Sequence, residues 1–133
     1  MINGISLRDV YRNNREISDL QILRKLRSKY PRNPLIGYLN INSLRNKIID
    51  VRELIGRLQL DYFVISETKL DSSLPSAQFH IVDYEIRNRR DRNKSGGGLI
   101  EFVKKGIITK RLEDLETNLS ETICTEITIS KKR

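Results

Sequence analysis

The sequence predicts an α/β protein, in which strands of one sheet alternate with helices that pack on it. Residues 35–41 and 62–65 are short apolar runs rich in β-favouring residues, as buried strands are. Between them, apolar residues recur at helical spacing, at Leu44, Ile48, Val51, Ile55 and Leu58. Strand, helix and strand within about thirty residues are typical of a right-handed crossover between parallel strands.

Ahead of this unit, residues 1–33 are expected to form a basic, partly helical leader. Ser18-Asp19-Leu20-Gln21 has the pattern of a capping box, a hydroxyl residue followed three positions later by glutamine. Pro31 and Pro34 end the helix, because proline cannot continue one. Apolar residues at helical spacing predict a short basic helix to about Lys29, and they are Leu20, Leu23 and Leu26.

Residues 34–133 are expected to form one domain with further strands. Ser43 is expected to cap the helix that follows the first strand. Two connections are expected, a polar loop over residues 68–77 and a charged, glycine-rich turn over residues 88–98. The last strand runs into Ser130-Lys131-Lys132-Arg133 without a turn, which favours a chain that stops within its fold. The further strands are expected at residues 79–86, 99–103 and 121–129.

The composition excludes several classes of protein. With 133 residues and 38% apolar content, the chain suits one small domain with a modest core. No apolar run approaches the roughly 20 residues that span a bilayer, and no signal peptide is visible, so an intracellular protein without membrane contact is expected. The single cysteine, Cys124, cannot form an internal disulfide or a cysteine zinc cage, and we expect a core-facing strand residue.

The net charge of +8 is unevenly distributed along the chain. Residues 1–57 carry twelve Lys/Arg against five Asp/Glu, residues 58–110 nine against seven, and residues 111–133 four against five. A basic excess favours polyanion partners, because phosphate charge dominates such binding. Solvated helix faces explain the same excess equally well.

Polar side chains follow the first two strands where functional groups of α/β sheets gather. Asn40 and Asn42 come at the end of the first strand, and Glu67 directly follows the second. One carboxylate and two amide oxygens are hard ligands, which suit Mg²⁺ because it keeps several waters and takes phosphate oxygens from a substrate. Spacing alone favours the alternative, in which Asn42 belongs to a helix cap and Glu67 is solvated.

Four motifs resemble the endonuclease/exonuclease/phosphatase superfamily, which includes DNase I and the apurinic/apyrimidinic endonucleases. Asn40-Ile41-Asn42-Ser43-Leu44-Arg45 and Ile65-Ser66-Glu67-Thr68-Lys69-Leu70 resemble its first two motifs, and Asn42 and Glu67 are 25 positions apart. Tyr84 with the Arg90-Asp91-Arg92 turn, and then Gly96-Gly97-Gly98-Leu99, continue the likeness. It covers about residues 34–130, and it is closest to the endonuclease domain of non-LTR retrotransposons.

The resemblance implies a fold, a cofactor and roles for single residues. The fold would be the amino-terminal half of a DNase I-like two-sheet sandwich. Glu67 would bind the catalytic metal, Mg²⁺ or Mn²⁺ in its place, with Asn42 beside it. Asn40 and Asn42 would position the phosphate and the metal environment. An intact relative would act in the nucleus, nicking target DNA for a reverse transcriptase domain on the same chain.

A basic segment and the first motif supply candidate contacts to DNA. Residues 87–94 hold five basic residues in eight, followed by glycines whose amides can approach a nucleic-acid backbone. The alternative is a solvated hairpin loop in which Arg90 or Arg92 pairs with Asp91. Binding to DNA is expected to be weak and non-specific. The candidate contacts are Arg45, Arg90, Arg92 and Lys94.

The later motifs that complete such a site are missing from the sequence. The superfamily adds a Tyr, an Asp-x-Asn and a Ser-Asp-His, whereas the only histidine, His80, lies in Phe79-His80-Ile81-Val82 and is expected to be an ordinary strand residue. Asp91-Arg92-Asn93 spells Asp-x-Asn only by coincidence. The expected function is therefore a truncated Mg²⁺-dependent DNA endonuclease. The alternatives are a non-enzymatic gene fragment, a basic nucleic-acid-binding half-domain, or a phosphatase or phospholipase cousin.

Overall fold

The structure, a computed structural model, describes residues 15–129, with side chains from residue 20 onward. Residues 1–14 of the leader, the side chain of Ser18 and the basic end at 130–133 lie outside the described residues. Two short 3-10 helices cover Ser76–Phe79 and Glu113–Leu115. The helices and strands are α1 (Arg15–Lys29), β1 (Ile36–Asn40), α2 (Ile48–Leu58), β2 (Tyr62–Ser66), β3 (Tyr84–Arg90), β4 (Leu99–Lys104), β5 (Ile108–Arg111) and β6 (Thr125–Thr128).

The described strands form two sheets, so the predicted α/β class is confirmed. The larger sheet has the order β1-β2-β4-β3, and β5 pairs with β6 in the smaller one. β1 and β2 are parallel, with Asn40 opposite Ser66, as the strand–helix–strand pattern predicts. β4 runs antiparallel to both β2 and β3. The finer expectation, half of a DNase I-like sandwich, stays a prediction.

Helix α2 buries its apolar side in the main core, as its periodicity predicts. Val51, Leu54 and Ile55 are fully buried and belong to one cluster with apolar residues of β1, β2 and β4. Gly37 of β1 is buried against Leu60 and Phe63 of this cluster. A Cβ atom there would come within 2.4 Å of Leu60 Cδ1, so the close packing of β1 requires glycine.

Helix α1 is anchored at the amino-terminal end of the parallel strands. Leu23 is buried in the core, and Arg27 bonds the Gln59 carbonyl and lies 3.4 Å from Asp61 Oδ2. The same Asp61 oxygen accepts a 2.7 Å bond from the amide of Leu35. The predicted basic helix ending at Lys29 is therefore confirmed. The predicted capping box at Ser18 is wrong, because Ser18 lies inside the helix, whose described residues begin at Arg15.

The prediction that Ser43 caps α2 is wrong. The helix begins at Ile48, after Lys47, which forms no side-chain cap bond. Ser43 has a φ of +85°, and its amide donates to the carbonyl of Glu67 at 2.8 Å. Hydrogen bonds to the segment after β2 therefore hold Ser43 outside the helix.

The predicted strand at 79–86 is also wrong in its first half. Phe79 ends a 3-10 helix and is buried there, and β3 begins only at Tyr84. His80 is an exposed residue after that 3-10 helix and not a strand residue, and its carbonyl accepts a 2.8 Å bond from Arg52 Nε. Because β3 continues to Arg90, part of the predicted turn at 88–98 is strand.

The final strand is shorter than the sequence predicts, and one strand was missed. β6 covers Thr125–Thr128, so Cys124 is a half-buried residue before the strand and not a core-facing one within it. β5, at Ile108–Arg111, has only four residues, too few to show a clear alternation. In the part of the chain that the structure describes, no helix is long and apolar enough to cross a bilayer.

A buried carboxylate holds β6 against the four-stranded sheet. Glu101 of β4 is 3% exposed, and its side chain accepts bonds of 2.7 Å from both Asn88 and Thr125. Burial and a hydrogen bond to Glu101 raise the pKa of Tyr62 above its ordinary value. This network joins β2, β3, β4 and β6. Its hydrogen bonds satisfy the carboxylate of Glu101, as the burial of a polar group requires.

Candidate metal centre

The two predicted strand ends lie side by side at one edge of the sheet. Beyond the last paired residues, the amide of Ile41 donates to the Ser66 carbonyl at 3.1 Å. The amides of Ser43 and Leu44 continue this pairing to the carbonyls after β2. The structure therefore brings the segment of Asn40 and Asn42 next to the segment of Glu67.

Backbone strain is concentrated in these two segments. Of six non-glycine residues with positive φ among the described residues, four lie here. Residues other than glycine avoid this left-handed region, and such strain tends to collect at functional sites. The four are Asn42 (φ +48°), Ser43 (+85°), Glu67 (+55°) and Lys69 (+52°).

The carboxylate of Glu67 is fixed by one backbone amide. Gly97 donates to its Oε2 oxygen at 3.1 Å, and the Gly97 carbonyl accepts a 2.8 Å bond from the amide of Lys69. Within residues 20–129, no hydrogen bond reaches the other oxygen, Oε1. The half-buried carboxylate thus has one oriented oxygen and one that can bind a ligand.

The amide of Asn42 is engaged by a lysine to which the sequence motifs gave no role. Lys69 Nζ donates to Asn42 Oδ1 at 2.5 Å, and Lys47 Nζ donates to the Asn42 carbonyl at 2.8 Å. Asn40 Oδ1 accepts a 3.2 Å hydrogen bond from the backbone amide of Asn42. Lys69 follows Glu67 by two positions in the sequence. This short spacing is the sequence signal that could have identified Lys69 as part of the site.

These donors fit a sparsely coordinated divalent cation. Oε1 of Glu67 supplies a charged oxygen, and Asn42 Oδ1 supplies a neutral one if the flexible Lys69 side chain moves aside. Across the described residues, no group of three His, Cys, Asp or Glu side chains could hold a metal. A cation at Glu67 would therefore depend on water and phosphate oxygens, as Mg²⁺ sites often do.

The basic segment before the glycines is bonded largely within the protein. Arg89 makes two 2.9 Å bonds to Asp91, so the pair within this loop involves Arg89 and not Arg90 or Arg92. Arg90 is half-buried and donates to the Thr122 carbonyl at 2.8 Å. This bond and the Glu116 carboxylate, 3.9 Å away, hold the guanidinium within the protein, so contact with DNA would compete with them.

The other candidate DNA contacts are exposed. Arg92 Nε donates to the Gly96 carbonyl at 3.2 Å, and Lys94 Nζ lies 3.5 Å from Asp71 Oδ2. Arg45 forms no ion pair or hydrogen bond with the part of the chain that the structure describes. Contact with a phosphate would cost Arg92 one exposed hydrogen bond and Lys94 one exposed ion pair, which is weak.

The glycines themselves do not offer free amides. Gly97 donates to Glu67, and Gly98 donates to Glu121 Oε1 at 2.7 Å. The sequence predicts that these amides approach a nucleic-acid backbone, and instead both bind carboxylates of the protein. Glu121 was missed because it lies far from this turn in sequence, and no local pattern links the two.

Comparisons with protein-family models and with curated proteins found no match for this chain. The likeness to the endonuclease/exonuclease/phosphatase superfamily therefore rests on its motifs, and the function has to be inferred from the site.

Proposed function

We propose that this chain carries the metal- and phosphate-holding part of a Mg²⁺-dependent DNA endonuclease of the retrotransposon type. The observation that supports this most is the pairing of the two motif segments, which sets Glu67 beside Asn42 and Lys69 at the edge of the sheet. A carboxylate, an amide and an ammonium group together suit a cation and a phosphodiester.

Glu67 would hold the divalent cation through Oε1, while the Gly97 amide keeps Oε2 oriented. Such a cation, Mg²⁺ or Mn²⁺, polarises a phosphoryl oxygen and stabilises the leaving oxygen. Lys69, released from Asn42 Oδ1, would donate to a phosphate oxygen. The side-chain amide of Asn42 would orient the same phosphate. Asn40 supports this arrangement, because its side-chain oxygen accepts a hydrogen bond from the backbone amide of Asn42.

DNA is the proposed substrate because three exposed basic residues belong to a segment of the site or to the glycine-containing turn beside it. Arg45 follows Asn42 closely in sequence, and Arg92 lies against Gly97, whose amide bonds Glu67. With Lys94 they form the site-side basic set, defined as Arg45, Arg92 and Lys94. In an intact relative, a nick made here would supply the 3′-hydroxyl for a reverse transcriptase on the same chain.

A second candidate function is non-enzymatic binding of nucleic acid, which the outer face of α1 favours. Residues 20–34 include no acidic residue, and Arg27 is the basic residue of α1 that points to Asp61. Because Asp61 precedes β2 and Glu67 follows it, α1 contacts the end of the strand opposite to Glu67, roughly 20 Å away. The α1 basic face consists of the exposed residues Arg24, Lys25 and Lys29 of α1 and Arg32, which follows the helix.

Removing the Glu67 charge will weaken cation binding at least about tenfold, because a neutral amide holds a divalent ion poorly. We expect Mn²⁺ to bind the wild-type chain weakly and the Glu67→Gln variant at least tenfold more weakly. Electron paramagnetic resonance of free Mn²⁺ measures both affinities. Glu126→Gln, an exposed position on β6, is the matched control and should bind as the wild type does. Equal affinity in all three proteins would remove Glu67 from any metal site.

DNA binding will be strongly salt-dependent, and variants of the two basic surfaces will show which of them contacts the DNA. Anisotropy of a labelled duplex should give a log affinity that falls linearly with log salt. Neutralising the site-side basic set with glutamine should reduce the slope by about 0.9 for each phosphate that the variant no longer neutralises. A flat plot for the wild type would contradict phosphate contact. If the salt slope becomes smaller only when the α1 basic face is neutralised, the result would favour the second candidate function, non-enzymatic binding of nucleic acid.

A further inference from the structure

Two carboxylates bind consecutive amides of one glycine turn. Gly97 donates to Glu67 Oε2 at 3.1 Å, and Gly98 donates to Glu121 Oε1 at 2.7 Å. Both glycines have positive φ, +71° and +101°, which side chains rarely tolerate. Glu121 lies between β5 and β6 in the chain, so it links the connection of the smaller sheet to the turn that orients Glu67.

The peptide unit between the two glycines is held from both sides. Its N–H donates to Glu121, and its carbonyl accepts the 2.8 Å bond from the amide of Lys69. A bond to a carboxylate is among the stronger hydrogen bonds, and connected bonds reinforce one another. Gly98 has no room to shift toward Thr68, because a Cβ atom would lie 2.0 Å from Thr68 Oγ1. The Glu121 carboxylate and the Lys69 amide therefore fix the plane of this peptide together.

We propose that Glu121 is a positioning residue for Glu67, acting through the Gly97–Gly98 turn. By holding the Gly98 amide, Glu121 sets the direction of the Gly97 amide, which in turn orients the Glu67 carboxylate and leaves Oε1 for a cation. Glu121 need not touch the cation itself. This inference rests on the proposed function only where it concerns cation binding, because the effect on the Gly97 amide is independent of any metal.

The test compares three substitutions at Glu121 by amide hydrogen exchange and by Mn²⁺ affinity. Glu121→Ala removes the acceptor, so exchange should accelerate at Gly98 and, through the turn, at Gly97 by about tenfold or more. Mn²⁺ should bind about 10- to 100-fold more weakly, as when a partner of a metal ligand is removed. Glu121→Gln keeps an acceptor oxygen and should change both by less than about threefold. Glu126→Ala on β6 is the control.

The Gly97 amide is the deciding readout, because it donates its hydrogen bond to Glu67 and not to Glu121, although Glu121 Oε2 lies against Gly97. A general loss of stability would accelerate exchange in β2 as well, so unchanged protection at Phe63 and Ile65 identifies a local effect. If Glu121→Ala unfolds the chain, Glu121→Asp decides, since its shorter side chain should lose the bond and behave as expected for alanine.

Unchanged exchange at Gly97 in the folded alanine or aspartate variant would overturn the inference. If Glu67→Gln abolishes Mn²⁺ binding while Glu121→Ala leaves it intact, the inference fails and the proposed function stands. If the wild-type chain binds no Mn²⁺, the metal site of the proposed function fails. The exchange rates at Gly97 then still decide whether Glu121 positions the turn.

Discussion

Replacing Gly98 with alanine will destabilise the protein by about 3 kcal/mol. Gly98 has a φ of +101°, where an L side chain is strained, and the new Cβ would meet Thr68 Oγ1 at 2.0 Å. Thr68 is fully buried, so its side chain has little freedom to move away. Strain and overpacking each cost about 1–3 kcal/mol, and both apply here. Urea denaturation followed by circular dichroism measures the decrease in stability.

The control for this substitution is a glycine at which alanine should have the opposite effect. Gly56 lies inside α2, and nothing lies within 4 Å of the Cβ position there. Gly56→Ala should stabilise the protein by about 0.5–1 kcal/mol, because alanine favours the helix. Adding Thr68→Ala to Gly98→Ala removes the closest contact but not the strained φ, so part of the stability should be recovered. A Gly98→Ala variant as stable as the wild type would show that neither strain nor crowding acts at this turn.

The elements predicted correctly are those whose pattern depends on near neighbours in sequence. The apolar runs of β1 and β2 and the helical period of α2 are local signals, and burial in one core reinforced each of them. Their parallel pairing followed from the order of the elements. The carboxyl ends of parallel strands meet at one edge, so the neighbouring positions of Asn42 and Glu67 could also be predicted.

The errors arise where contacts distant in sequence override a local signal. Ser43 has the residue type of a helix cap, yet bonding to the Glu67 carbonyl gives it a left-handed backbone. The run at 79–86 has strand-like composition, but Phe79 ends a 3-10 helix and a connection leads from there to β3, with Phe79 and Ile81 buried in the core. Glu121 could not be predicted as part of the site, because its bond to Gly98 spans 23 positions.

The chain alone will not cleave DNA at a measurable rate. The missing stabilisation of the transition state is the largest energy difference that we expect. Enzymes must lower the barrier of such reactions by roughly 8–23 kcal/mol, and a cation at Glu67 would supply only part of this. The chain has one histidine, His80, and it is an exposed residue after a 3-10 helix, in a loop separate from both site segments. Among the described residues, nothing takes the role of the Ser-Asp-His that the resemblance implies for an intact relative.

The assay is plasmid nicking with Mg²⁺, and it compares the wild-type chain with Glu67→Gln. Catalytic groups act as a unit, so a site that lacks several of them retains little more than binding effects. We therefore expect the same background from both proteins, even if Mn²⁺ affinity differs between them. Equal but substantial nicking by both would indicate a contaminating nuclease, which repurification should remove. Robust nicking by the wild type that disappears in Glu67→Gln would contradict the prediction, because Glu67 and its neighbours would then suffice for catalysis.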